Sequence, residues 1–104
     1  MSRKKNLEGQ DVLALLRKHQ EALKKFKVKR IGLFGSYATG RSRKNSDIDF
    51  LVEFEEHTYD NFVGLIRALE KIFGKKVEVL TPDAIDSIRV AEVARSVRES
   101  VVYV

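Results

Sequence analysis

The stretch Arg30-Ile31-Gly32-Leu33-Phe34-Gly35-Ser36-Tyr37-Ala38-Thr39-Gly40-Arg41, followed after a short polar interval by Ser46-Asp47-Ile48-Asp49-Phe50-Leu51-Val52, decides how this chain is read. Residues 30–34 form a short apolar run that stops at Gly35, the pattern of a buried strand ending in a tight turn. Beyond the polar stretch from Ser36 to Ser46, Ile48, Phe50 and Val52 alternate with Asp47, Asp49, Leu51 and Glu53. Successive strand side chains point to opposite faces, so one face is apolar and the other begins with two carboxylates. The local expectation is a pair of strands, the second with an acidic head.

Working outward, apolar residues at Val12, Leu16, Leu23 and Phe26, with Leu13, Leu15 and Ala22 beside them, predict an amphipathic helix from Asp11 to Phe26. On the other side, a helix from about Asn61 to Phe73 is expected, with Thr58 as its cap and Gly74 ending it. Lys76 to Leu80 reads as a third strand. Thr81-Pro82 resembles a helix start, and Ile85, Ile88, Ala91, Ala94 and Val97 mark one last helix before a terminal strand, Val101 to Val104. The order predicts an α/β (α+β) fold in which helices pack on a small mixed β-sheet.

The 104 residues suit one domain, with residues 1–6 as a flexible basic tail. A 43% hydrophobic content permits a modest core, and 34% charged residues argue against a membrane protein. There is no Cys, hence no disulfide, no thiolate metal site and no thiol nucleophile. No apolar run approaches the ~18 residues of a membrane span, and the first residues lack the apolar segment of a signal peptide, so cytoplasmic residence is expected. A net charge of +5 points to an anionic partner. Lys24, Lys25, Lys27, Lys29 and Arg30 are expected to be a solvated helix end rather than a nucleic-acid patch. His19 is expected to be an ordinary helix residue, His57 to serve a loop or cap, and Tyr37 to pack.

On a strand, Asp47 and Asp49 share a face, close enough for their oxygens to grip a common hard cation. Such a pair suits magnesium bridging the phosphates of a nucleotide during an in-line displacement. Gly35 lets backbone amides approach an anion, and the Ser36 hydroxyl and N–H can bind phosphate oxygens. Gly40 and Arg41 keep the loop tight and cationic, and Ser46 completes the expected nucleotide-side residues. Arg41, Arg43 and Lys44 are equally consistent with neutralising a triphosphate and with being exposed loop cations.

A Gly-Ser pair followed ten residues later by Asp-x-Asp resembles the signature of the DNA polymerase β-like nucleotidyltransferase superfamily. The similarity is greatest to its smallest branch, the minimal nucleotidyltransferase (MNT) domains, and runs from the first helix through Val28-Lys29-Arg30-Ile31-Gly32-Leu33-Phe34-Gly35-Ser36 to Val102-Tyr103-Val104. The resemblance implies a third carboxylate on the next strand. Glu78, in Lys76-Val77-Glu78-Val79-Leu80, is the candidate, one methylene longer than the usual Asp. It further implies two Mg2+ ions, ATP or another nucleoside triphosphate as substrate, and a HEPN-domain toxin as partner, to whose tyrosine some members transfer AMP. The expected function is therefore metal-dependent transfer of AMP to a partner hydroxyl by the antitoxin of a HEPN/MNT pair, with Asp47, Asp49 and Glu78 catalytic and metal-binding. Two rivals are an antitoxin that acts by binding alone and a nucleic-acid-binding module. Self-association is left open.

Overall fold

The computed structural model describes residues 7–43, 45–87 and 91–104. The expected tail at residues 1–6, the loop cation Lys44 and the helix position Ile88 lie outside them.

Helix α1 spans Gly9–Lys18 and opens with a reciprocal cap, in which the Glu8 amide donates to Asp11 Oδ2 at 2.9 Å. The expected long helix does not run through to Phe26. It breaks at His19, whose ring nitrogen Nδ1 meets the Leu15 carbonyl at 2.9 Å, and restarts as α2, Gln20–Lys24. A side chain that bonds the preceding turn competes with the helical ladder, and periodicity alone does not register such a step. Val12, Leu16 and Leu23 remain on one buried face across the break.

Strand β1, Val28–Phe34, leads into a single turn of helix, α3, Ser36–Thr39, where the sequence suggested only loop. Strand β2, Ile48–Phe54, then returns antiparallel to β1. Helix α4, Tyr59–Phe73, has both expected signals in place. Thr58 Oγ1 accepts from the Asn61 amide at 3.1 Å, and Gly74 ends the helix at φ 66°, a conformation cheap only for glycine. Strand β3, Val77–Leu80, lies parallel to β2. The expected last helix is two, α5 at Pro82–Asp86 and α6 at Ala91–Ser100, followed by strand β4, Val102–Tyr103. The sheet order is β3-β2-β1-β4, with β4 antiparallel to β1, which is the small mixed sheet expected.

Strand alternation gives the sheet two apolar faces. Ile31, Leu33, Ile48, Phe50, Val52, Val77 and Val79 pack under α1 to α4, with Leu65, Leu69 and Tyr37 closing that core. Phe34 and Leu51 point the other way and are covered by Ile85 of α5 and by Ala94 and Val97 of α6. Burying each such side chain contributes roughly 1.5–3 kcal/mol, so both layers of helix are held mainly by this alternation. The second layer leaves the ends of β2 and β3 nearest Asp47 open: Asp47 and Glu78 are exposed.

Candidate active site

The site lies where β1 ends and β2 and β3 begin. Phe34 is the register partner of Asp49 across β1 and β2, and Asp49 is the register partner of Glu78 across β2 and β3. Partnered residues share a face, so Phe34, Asp49 and Glu78 form one row across the sheet. Asp47 lies one residue ahead of β2. The three carboxylates marked in the sequence are thereby brought to one end of one sheet face, although Glu78 is separated from Asp47 by 31 positions in the chain.

Gly35 adjoins this row. Its backbone has φ 77° and ψ −151°, a region essentially restricted to glycine, and a side chain there would overlap Asp49 Oδ2. The turn can therefore press against the carboxylate only because residue 35 has no Cβ. Ser36 follows as the first residue of α3, half-buried, with the Thr39 and Ala38 amides bonded back to the Gly35 carbonyl at 3.1 and 3.0 Å. The first amides of a helix have no carbonyl one turn earlier to bond; with Ala38 and Thr39 bonded to Gly35, those of Ser36 and Tyr37 are the candidates for an anion.

Asp49 is half-buried, and its pKa is raised from 3.8 to about 6. Burial is the largest cause; next come the charge of Glu78, a hydrogen bond with the Glu78 side chain, and the charge of Asp47. A carboxylate destabilised in its charged form by burial and by neighbouring negative charge gains from a cation placed beside it. The donor set, three carboxylates around an anion-facing turn, fits a hard divalent ion. Among the described residues, however, no three His, Cys, Asp or Glu side chains stand already gathered around a common point. Asp47 and Glu78 are both exposed, and Asp49 between them is half-buried.

The other expected residues are placed as follows. Gly40 ends α3 at φ 78°, allowing the Arg41 amide to bond the Ser36 carbonyl at 2.9 Å. Arg41 is exposed. Ser46 Oγ accepts from the Arg43 amide at 2.8 Å, and the Ser46 amide donates to the Arg43 carbonyl at 3.0 Å, so Ser46 closes the loop that delivers Asp47. Lys24, Lys25, Lys27, Lys29 and Arg30 are exposed near the start of β1, the end of that strand remote from Gly35. Arg30 there pairs with Glu53 at 3.5 Å and covers the Tyr103 ring at 4.0 Å.

Sequence reasoning missed two contributors. Lys75 Nζ donates to the Tyr37 hydroxyl at 2.6 Å; nothing in Gly74-Lys75-Lys76 signals it. Glu92, Ser96 and Ser100 of α6 line a cleft of about 390 Å3 with Phe34 and Gly35, so α6 walls the approach to the Gly-Ser turn. A larger cleft, about 660 Å3 between α1 and α3, is lined by none of the three carboxylates. Those three carboxylates stand instead at the open end of the sheet.

Residues 16–104 match the family described as the nucleotidyltransferase domain. The chain belongs to that family. Among curated relatives, "Putative protein adenylyltransferase MJ1379" of Methanocaldococcus jannaschii is 45% identical over 90% of this chain and 95% of the relative. Protein adenylyltransferase MntA of Thermococcus cleftensis is 34% identical over 91% and 94%. A solved "putative minimal nucleotidyltransferase" superposes with a TM-score of 0.73 at 24% identity, covering 95% of this chain and 98% of that one. A solved toxin-antitoxin structure with AMP-PNP superposes with a TM-score of 0.59 at 23% identity, covering 93% and 72%. The expected nucleotidyltransferase fold and enzyme class are thus borne out. No helix among the described residues of this nucleotidyltransferase is long and apolar enough to cross a membrane.

Proposed function

We propose that this nucleotidyltransferase transfers AMP from ATP to a hydroxyl of a partner protein, as the antitoxin of a pair whose toxin is a HEPN-domain protein. The observation that carries the chemistry is the half-buried Asp49, held between Glu78 and the side-chain-free Gly35 turn, with its pKa raised to about 6. Carboxylates kept in mutual repulsion gain most from binding a cation. The relatives named as protein adenylyltransferases and the solved toxin-antitoxin structure with AMP-PNP support the substrate and the kind of partner.

Asp47, Asp49 and Glu78 are the residues that would hold Mg2+, two ions in the fullest arrangement. When bound, Mg2+ neutralises phosphate charge and favours the alkoxide form of the attacking hydroxyl. The Ser36 hydroxyl and the first amides of α3 bind the triphosphate and orient it. An acceptor hydroxyl then attacks the α-phosphorus, a new P–O bond forms, pyrophosphate leaves, and the hydroxyl proton passes to solvent or to a carboxylate. The cleft beside α6 gives the acceptor a route to the Gly-Ser turn.

Titration of ATP into the protein with and without Mg2+, repeated on Asp47→Asn and Asp49→Asn, tests the site. Magnesium-dependent binding that both variants lose is expected; equal binding by either variant removes that residue from the metal site. A second reading, an antitoxin that acts by contact alone, draws on the exposed Glu78 and on the lack of a ready three-ligand cluster among the described residues. It predicts that the purified pair forms a complex without label from ATP appearing on the toxin.

A further inference from the structure

Helix α3, which carries Ser36, lies beyond the last ladder pair of β1, Phe34 with Asp49, so strand pairing does not fix its orientation. Its Tyr37 points into the main core and is 3% exposed. A phenol buried that deeply needs a partner for its hydroxyl. Lys75 supplies it: Nζ donates to Tyr37 Oη at 2.6 Å, and the ammonium lies 5.2 Å from the ring centroid. A hydrogen bond from an ionised donor at this length is of the stronger kind.

The place of Lys75 gives that bond its consequence. It sits in the turn between α4 and β3. The next residue, Lys76, accepts the Ile48 amide at 3.2 Å on its carbonyl, which ties the same turn to the strand start between Asp47 and Asp49. Three residues after Lys75 comes Glu78. One short turn therefore touches all three pieces of the site: α3 through Tyr37, the Asp47–Asp49 segment through Ile48, and Glu78 by chain continuity.

We infer that Tyr37 and Lys75 are a positioning pair, which sets α3 against the carboxylate row so that Ser36 faces the triphosphate. The inference rests on the nucleotide reading above. Neither residue is assigned contact with the reacting atoms; both act through α3.

Tyr37→Phe keeps the ring, and with it the core, while deleting the acceptor. Lys75→Met deletes the donor and its charge; Lys75→Arg keeps a cationic donor. In Mg2+-ATP titrations, Tyr37→Phe and Lys75→Met should each weaken binding by about tenfold, the scale of one good hydrogen bond, with the number of sites unchanged. The double variant should be hardly weaker than either single one, since the two residues act as a unit, and Lys75→Arg should recover most of the affinity. Independently of nucleotide, Tyr37→Phe should speed hydrogen exchange at the Ala38 and Thr39 amides while Phe50 and Val52 stay protected. Unchanged affinity in Tyr37→Phe overturns the inference, as does a reduced number of sites at unchanged affinity, which marks a purely structural role. Weakening by Lys75→Met alone also overturns it, because Lys75 would then act as a charge and not through Tyr37. Failure of the nucleotide reading itself shows separately, as absence of ATP binding by the unsubstituted protein. Unchanged exchange at Ala38 and Thr39 refutes the anchor whatever ATP does.

Discussion

Asp49→Asn should stabilise the metal-free protein at pH 8 and leave its stability nearly unchanged at pH 4. The folded-state pKa of Asp49 is about 6 against a usual 3.8, so between those values the folded chain binds more protons than the unfolded one. A raised carboxylate pKa makes ionisation oppose folding: the cost is absent below about pH 4, grows as pH rises, and is complete above about pH 6. A shift of roughly two units corresponds at most to about 3 kcal/mol. Asp49 is half-exposed, and solvent screening reduces this to about 1 kcal/mol. In a domain of this size that moves the melting temperature by roughly 4–8 °C. Thermal unfolding of parent and variant in EDTA from pH 4 to pH 8 would measure it. Parallel curves, with an offset that does not change with pH, would refute the argument that burial and Glu78 raise the pKa of Asp49.

Magnesium should reverse the order. Because the ion must displace the proton on Asp49, Mg2+-dependent ATP binding should weaken as pH falls below about 6, and titrations at pH 5 and pH 8 would show it. Gly35→Ala should lose ATP binding and cost about 1–3 kcal/mol, from the positive φ together with overlap on Asp49, as read from urea midpoints; full binding would mean that the turn is not pressed against the carboxylate. Phe50→Ala should cost about 3–5 kcal/mol, since the ring is fully buried with its centroid 5.7 Å from that of Phe73. A urea midpoint equal to the parent's would contradict that placement.

Much of the fold was legible because its signals are local. Alternation in Ile48-Asp49-Phe50-Leu51-Val52 defined a strand and its faces, Thr58 and Gly74 bounded α4, and Thr81-Pro82 opened α5. The misreadings share a cause. Apolar spacing persists across a helix break as readily as within one helix, so the break at His19 and the end of α5 at Ser87 left no mark in the pattern. The four-residue α3 was too short and too polar to show a period.

For the candidate site, the sequence by itself determined the residue types on which the proposal rests: a Gly-Ser turn, two aspartates separated by one residue and, at the place the family resemblance implies a third carboxylate, Glu78 alternating outward between Val77 and Val79. Those residue types at those spacings are local facts, set by strand alternation and by glycine's freedom at positive φ. Only the tertiary structure decided which distant groups share an environment. The parallel register of β2 and β3 sets Asp49 beside Glu78, and burial with that proximity lifts the pKa of Asp49 to about 6. The contact of Lys75 with Tyr37 joins residues 38 positions apart. Register and burial arise from packing the whole chain, and electrostatic coupling depends on distance through space, which a one-dimensional pattern does not carry.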